Sequence, residues 1–334
     1  MEPTRGGDPR ERTGPRARES LPERLERHQV AIYLTALVGG LALGALLPGA
    51  SPALEVAVEP AIAALLLVTF LGVPLRDLGA GLRDGRFLLT LLAVNVLAVP
   101  LVVALITLPL AGSPELLVGA LLVLLAPCID YVLVFTALAG GAKDRLLAAT
   151  PLLMLAQLVA LPVLVPLLSG GAATGLIEPG PFVRALVLLV LLPLLVAAAI
   201  QRLAPRWDLS PTMVPLMVLV LVTVVASQTP RVLGAGTALL ALVPIYAGFL
   251  VLATGAGILV SRLAHLDVPA ARAVTFSGAT RNSLVVLPLA LAIPSPLVPA
   301  AVVTQTLVEL LGMVLLVRIL PRLVRDGTRP PARR

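Results

Sequence analysis

The sequence LLVLLAPCIDYVLVFTALAGG, residues 121–141, decides how this chain can fold. It is apolar enough for a buried helix, yet its centre holds Pro127, Cys128 and Asp130. Proline has no backbone N–H, and it disfavours helical backbone at the residue before it. The stretch therefore predicts a helix that is interrupted at its centre, with polar groups at the interruption.

The composition of the whole chain is that of a multi-pass membrane protein. Of its 334 residues 58% are hydrophobic and 13% are charged, whereas soluble domains carry about 25% charged residues. The single cysteine excludes an internal disulfide, and the two histidines lie outside the apolar runs. We therefore expect no metal centre and no cofactor. The net charge of +7 is expected to mark helix ends, not nucleic-acid binding.

Ten transmembrane helices are predicted, because each apolar run approaches the roughly 20 residues that cross a bilayer. They are placed at residues 30–47, 53–73, 87–110, 115–139, 146–168, 183–200, 212–226, 238–261, 273–293 and 297–317. The seventh run is short, and an earlier start near Leu209 is the alternative. We expect residues 1–29 to form a disordered and then interfacial tail, 30–320 the membrane domain, and 321–334 a basic tail.

The basic residues predict the orientation of these spans. They concentrate in the N-terminal tail, in the loops after the even-numbered spans and at the C-terminal end. The opposite loops contain only Arg184 and Arg231, and Arg281 lies inside a span. The positive-inside rule then places both termini in the cytoplasm of a cell-membrane protein. An even number of spans agrees with this orientation.

The two halves of the chain are related by an offset of 153 positions. This offset brings the spans of residues 30–168 onto those of residues 183–320, and it sets Cys128 opposite Arg281. Because each half has five spans, the second half must insert inverted, as in many secondary transporters. The prediction is an all-α membrane protein of two inverted five-helix repeats with broken, crossing helices 4 and 9.

The two charges inside the spans require an explanation. A charge in the hydrocarbon costs at least about 2.5–3.5 kcal/mol, so Asp130 and Arg281 should each have a partner or a role. They form either a structural ion pair or part of a transport site, and Asp130 could also lie nearer the cytoplasmic mouth. Ordinary kinks at Pro127 and Gly278 remain the simpler alternative. The polar residues that interrupt span 9 are Ser277, Thr280, Asn282 and Ser283.

Four further residues are candidates for transport chemistry. Cys128 offers a soft sulfur ligand to thiophilic solutes, although lone buried cysteines often act as small hydrophobes. Glu309 lies mid-span, where desolvation disfavours the anion, so that it could gain and lose a proton during transport; a satisfied structural carboxyl is the alternative. Asn95 and Gln157 are weaker candidates, expected to form interhelical hydrogen bonds.

These motifs resemble those of a known superfamily. APCIDYVLVFTALAGG (126–141) and GATRNSLVVLPLALAIP (278–294), followed by Glu309, are similar to the bile acid:sodium symporter superfamily, and within it to arsenite permeases of the arsenical-resistance-3 type. The resemblance implies export of trivalent arsenic or antimony, as an oxyanion or neutral hydroxide, in exchange for protons. It also implies an essential cysteine at Cys128 and an essential glutamate at Glu309.

The sequence departs from the superfamily at positions that affect coupling and substrate. Sodium-coupled members carry Glu-x-Gly-x-Gln-Asn in span 9; here Asn282 matches the last residue, but Arg281 replaces the Gln and Ser277 the Glu. A guanidinium there should repel sodium, which favours protons. The pair Asp130–Tyr131 is also unusual and leaves the substrate open. The alternative is a proton- or sodium-coupled carrier of small organic anions, with Arg281 binding a carboxylate.

The predicted site combines these arguments. Substrate binding is expected at Cys128, Asp130, Arg281 and Asn282, and proton coupling at Glu309. The secondary candidates are Asn95, Gln157, Ser277, Thr280 and Ser283. An enzyme is not predicted, since no histidine lies in the membrane and Cys128 has no base at helical spacing.

Overall fold

The computed structural model describes residues 21–72, 84–129, 131–171, 180, 183–184, 187–203, 210–234 and 236–325. Within these ranges the chain forms thirteen α-helices. They are α1 Leu21–Leu46, α2 Ser51–Gly72, α3 Gly85–Leu92, α4 Val99–Ile106, α5 Pro114–Leu124, α6 Val132–Leu138, α7 Lys143–Leu168, α8 Leu192–Leu203, α9 Met213–Gly234, α10 Leu242–Leu263, α11 Val268–Ala279, α12 Ser283–Leu291 and α13 Leu297–Leu323.

The described helices define a multi-pass, all-α membrane protein. Five helical stretches are long and apolar enough to cross a membrane: Pro48–Gly72, Gly85–Ile106, Met213–Gly234, Gly236–Leu263 and Leu297–Leu323. The stretch 143–168 makes a sixth if its two parts, which meet at an angle of 48° around the proline at position 151, are one span. Shorter apolar helices cover Ala31–Leu46, Pro114–Leu124 and Leu192–Leu203. The prediction of ten spans goes beyond these helices and stays a prediction.

Several helix ends differ from the predicted ones. Helix α1 begins at Leu21, so the predicted interfacial segment and the first span form one continuous helix. A 3₁₀ turn, Ser210–Thr212, leads directly into α9, whereas Leu209 itself lies outside the described residues. At its other end α9 extends through Pro230 to Gly234. Arg231 therefore lies in the last turn of a helix and not in a loop. The expected disorder of residues 1–18 and the position of Asp130 also fall outside the described residues.

The helices pack as two layers. The first layer contains α1, α2, α8 and α9, with α9 packed against both α1 and α2. Close approach of α1 to α9 requires a glycine: a Cβ at Gly44 would lie 2.4 Å from the backbone oxygen of Ala226. In the second layer α10 packs on α11 and α13, and α5 packs on α13. Contacts between α9 and α13 join the layers.

Candidate functional site

Two unwound segments cross at the centre of the second layer. One, residues 125–129 and 131, separates α5 from α6, and the other, residues 280–282, separates α11 from α12; together they are called the crossing. They pair antiparallel at Pro127 and Arg281. The Cys128 N–H donates to the Thr280 carbonyl at 3.2 Å, and the Asn282 N–H donates to the Ala126 carbonyl at 2.7 Å. The segments thus satisfy each other's backbone groups, as unwound chain at membrane depth requires.

The local sequence explains both breaks. Pro127 cannot supply the N–H that would continue α5. Thr280 has extended backbone (φ −103°, ψ 134°), which ends α11. Asn282 then restarts the helix, because its side-chain oxygen accepts the Val285 N–H at 3.1 Å and caps α12. The interruption predicted in spans 4 and 9 is present, and it is larger than a kink.

Arg281 is fully buried and caps the ends of the broken helices. Its guanidinium donates to the carbonyls of Ser277 at 2.6 Å and Gly278 at 2.7 Å, in the last turn of α11. It also reaches the carbonyl of Leu124, the last residue of α5, at 3.4 Å. Carbonyls in the last turn of a helix have no intrahelical partner, so the cation satisfies groups that the breaks leave unpaired. The ring of Phe249 lies 5.5 Å below the guanidinium carbon.

Asn95 completes this arrangement from a third helix. It lies in a π-helical turn, residues 93–98, between α3 and α4, a distortion that is frequent at functional sites. Its side-chain oxygen accepts from Arg281 at 3.1 Å, and its amide donates to the Ser277 hydroxyl at 3.0 Å. The expected interhelical hydrogen bonding of Asn95 is therefore present, and Ser277 takes part in it.

Glu309 enters the crossing from α13 and is buried, with 1% of its surface exposed. Its Oε2 accepts the backbone N–H of Arg281 at 2.9 Å and also the side-chain amide of Gln305. Its Oε1 lies 2.8 Å from the hydroxyl of Tyr131. The carboxyl therefore contacts both unwound segments at once. Among the described carboxylates, none forms a salt bridge with the Arg281 guanidinium.

Cys128 lies inside the crossing with 1% of its surface exposed. Its thiol is close enough to Tyr131 and Arg281 to interact electrostatically with both. A sulfur ligand and the carboxyl of Glu309 thus share one buried site, although the two residues are distant in sequence. Asp130, the third acidic or nucleophilic candidate, lies outside the described residues, so its pairing with Arg281 stays a prediction.

Several buried polar atoms at the crossing have no hydrogen-bond partner among the described residues. They are Nε of Arg281, Nδ2 of Asn282 and Oε1 of Gln305, whereas the Ser283 hydroxyl lies within reach of the Tyr131 phenol. The orientation of each amide group follows from the hydrogen bond that its other polar atom makes. Asn282 Oδ1 caps α12, and Gln305 Nε2 donates to Glu309. Leaving buried polar atoms unpaired is costly. The set contains donors and acceptors, as a site for a polar solute requires.

The remaining candidates are placed differently. The Thr280 hydroxyl donates to the Phe276 carbonyl at 2.7 Å, a helix-terminal bond that leaves it without an evident role in transport. Gln157 lies buried on α7. None of the hydrogen bonds found for the described residues connects Gln157 to the crossing.

Sequence reasoning missed two residues of the site, Tyr131 and Gln305. Gln305 could have been found, because it lies one helical turn before Glu309 and residues four apart face each other. Tyr131 follows the quoted break directly, and a buried tyrosine hydroxyl usually has a partner. That its partner would be Glu309 depends on tertiary packing, which no local pattern encodes.

Two cavities extend toward the half-helices that leave the crossing. One, of about 840 Å³, is lined by Glu55 and Glu59 of α2, by Arg184, and by Pro288 and Leu291 of α12. The other, of about 370 Å³, is lined by residues of α2, α6, α7 and α9, including Thr69, Leu133, Asp144 and Met213. Because the unwound segments run antiparallel, α6 and α12 leave the crossing in opposite directions. The cavities lie near opposite ends of α2, one beside Glu55 and Glu59 and the other beside Thr69 and Gly72.

Interrupted helices with buried charged groups, held in a multi-pass helical protein, define a membrane transporter. The chain belongs to the SBF-like CPA transporter family (DUF4137), whose model matches residues 32–308. It is thus a secondary transporter and not an enzyme, which agrees with the predicted class and with the broader superfamily resemblance. A transported solute and a coupling ion follow from this membership. Comparison with curated proteins gave no match.

Proposed function

We propose that this transporter exports arsenite or antimonite in exchange for protons, as the arsenical-resistance-3 resemblance implies. The observation that carries the proposal is the shared location of Cys128 and Glu309 in one buried crossing. The thiolate is a soft ligand that suits trivalent arsenic or antimony. A single sulfur holds such a solute weakly enough for release. The carboxyl of Glu309, in the same crossing, carries the exchanged proton.

The unpartnered atoms at the crossing support a neutral hydroxide as the bound form. When arsenous acid bonds to the Cys128 sulfur, one of its three hydroxyl groups leaves as water with the thiol proton, and each of the two remaining hydroxyls both donates and accepts hydrogen bonds. The donors Asn282 Nδ2 and Arg281 Nε and the acceptor Gln305 Oε1 suit such a solute. A bare cation would use acceptors only. The mixed set therefore supports a metalloid hydroxide over sodium as the ligand.

A carrier of organic anions receives less support from the same geometry. An arginine that clamps a carboxylate offers two parallel N–H donors. The terminal nitrogens of Arg281 are engaged by the oxygens of Asn95, Ser277, Gly278 and Leu124. The Nε hydrogen and one hydrogen of Nη1 remain, but Nη2, which would complete a parallel pair with either, is already engaged. A carboxylate would therefore have to displace helix-capping bonds to be held by two parallel donors.

The proposal includes the ten-span plan of two inverted repeats with both termini in the cytoplasm. Its support is the antiparallel pairing of Pro127 with Arg281. The 153-position offset sets the neighbouring residue, Cys128, opposite Arg281, so the two correspondences differ by one residue. Inverted repeats bring equivalent broken helices together in opposite directions. The two cavities near opposite ends of α2 suit a site that opens to each side of the membrane in turn.

Uptake of labelled arsenite by everted vesicles with an acidified lumen tests this function. We expect uptake by the natural protein and a loss of roughly tenfold or more in Glu309→Gln, since one bond to a charged group is worth that factor. Cys128→Ser and Cys128→Ala should both abolish uptake, because both remove the sulfur. Glu115→Gln, in the first turn of α5, is the matched control and should retain activity.

Transport by Cys128→Ala at the natural rate would contradict the metalloid role, because it would show that Cys128 serves only as a small apolar side chain. Uptake of an organic acid, with no response to arsenite, would establish the alternative carrier.

A further inference from the structure

We propose that Tyr131 couples the protonation of Glu309 to the backbone of the crossing, by donating its single hydroxyl hydrogen to one of two competing acceptors. This inference rests on the proposed proton-coupled transport and identifies a positioning residue for it. It begins from one geometric fact. The Tyr131 oxygen lies 2.8 Å from Glu309 Oε1 and 3.0 Å from the carbonyl oxygen of Arg281.

A phenol has only one hydrogen to donate, so it cannot donate to both oxygens at full strength. When Glu309 is ionised, Oε1 is the stronger acceptor, because bonds to charged groups are about twice as strong. The hydrogen of Tyr131 then points to Glu309, and the Arg281 carbonyl loses that donor. The phenol oxygen and the carbonyl remain close but are no longer joined by a hydrogen bond.

Protonation reverses this pattern without any change in heavy-atom positions. The added proton lies on Oε1, because Oε2 already accepts from the Arg281 N–H and from Gln305. The carboxyl then donates to the Tyr131 oxygen, and Tyr131 donates to the Arg281 carbonyl. One chain of hydrogen bonds then joins α13, the start of α6 and the unwound segment 280–282. The proton remains on the carboxyl, and Tyr131 gains and loses none.

The position of Tyr131 lets its bond to the Arg281 carbonyl hold the two unwound segments together. It immediately precedes α6 and is buried, with 4% of its surface exposed. The Arg281 carbonyl belongs to the residue whose guanidinium caps α5 and α11. A bond that forms only with protonated Glu309 therefore ties together the two segments that must rearrange during transport. Deprotonation removes the tie, which links proton release to mobility of the crossing.

Glu309 faces polar groups on three described elements, and the Ser283 hydroxyl, at the start of α12, can donate to the Tyr131 oxygen in either protonation state. Tyr131 faces it from the first unwound segment, Arg281 from the second, and Gln305 from its own helix. Cys128 interacts with Tyr131 and Arg281. Of these, only Tyr131 is placed to donate to either the carboxyl or the crossing backbone.

Hydrogen–deuterium exchange of the purified full-length protein tests the switch with no transported solute present. The amides of Cys128 and Asn282, which bond across the crossing, should exchange roughly two- to tenfold more slowly at low pH, after correction for the intrinsic effect of pH on exchange. That factor corresponds to one neutral hydrogen bond. Tyr131→Phe should remove the pH dependence, and Glu309→Gln should show slow exchange at every pH.

Tyr246→Phe provides the matched control. Tyr246 is a buried tyrosine whose hydroxyl donates to the Ala301 carbonyl of α13 at 3.0 Å, so it loses the same kind of bond away from Glu309. Its variant should keep the pH dependence of the natural protein. The same pH dependence in Tyr131→Phe, or none in the natural protein, would overturn the proposal. Because no arsenite is used, a failure of the metalloid assignment would not affect this result.

Discussion

At the scale of single residues, the crossing depends on a buried arginine whose main contacts are backbone oxygens. The sequence could show that Arg281 needs a partner, since a lone charge in the membrane is expensive. It could not show that the partners would be the carbonyls of Ser277, Gly278 and Leu124, because the last of these comes from a helix far away in sequence. The acceptors of the Arg281 guanidinium depend on tertiary packing, which the local sequence pattern does not contain.

Arg281→Gln should destabilise the protein by about 3–5 kcal/mol, the cost typical of removing one side of a buried charged network. The substitution leaves carbonyl groups at the ends of α5 and α11 without a hydrogen-bond partner. Thermal unfolding in detergent would measure the change. The matched control is Arg231→Gln, which removes a half-exposed pair with Glu55 and should cost less than about 1 kcal/mol. Equal stability of the two variants would refute the capping role.

At the scale of helices, the breaks were predictable and their partners were not. Pro127 marks the first break directly, and Asn282 is a good N-cap residue for the helix after the second. The offset between the halves related the two breaks to each other. The exact ends of α1 and α9 were harder to predict. In α9 the helix continues through Pro230, whose missing N–H frees the Ala226 carbonyl, and this carbonyl accepts from the hydroxyl of Ser51 at 3.5 Å.

Two glycines of α1 give a direct test of how the first layer packs. At Gly44 a Cβ would lie 2.4 Å from the Ala226 oxygen, whereas at Gly39 it would meet nothing within 4 Å. Gly44→Ala should therefore destabilise by about 1–3 kcal/mol through overpacking. Gly39→Ala should be neutral or should stabilise by up to about 1 kcal/mol through helix propensity. Thermal unfolding of both variants would decide, and equal stability would show that α1 and α9 do not pack closely.

At the scale of the whole molecule, a four-helix layer lies beside a larger layer that holds the crossing. Two cavities lie near opposite ends of α2, one lined also by α12 and the other by α6, and the proposed transport cycle would open the crossing toward each of them in turn. Composition and charge pattern predicted a polytopic transporter. They could not predict that Glu309 would contact Tyr131, which is 178 positions away, or that its carboxyl would accept the backbone N–H of Arg281.

The central claim is that the solute binds at the crossing through the sulfur of Cys128. X-ray absorption at the arsenic edge, recorded on purified protein with bound arsenite, measures the neighbours of arsenic directly. We expect one sulfur neighbour together with oxygens in the natural protein, and oxygens alone or no binding in Cys128→Ser. Bound arsenic with only oxygen neighbours in the natural protein, unchanged by Cys128→Ser, would contradict the account.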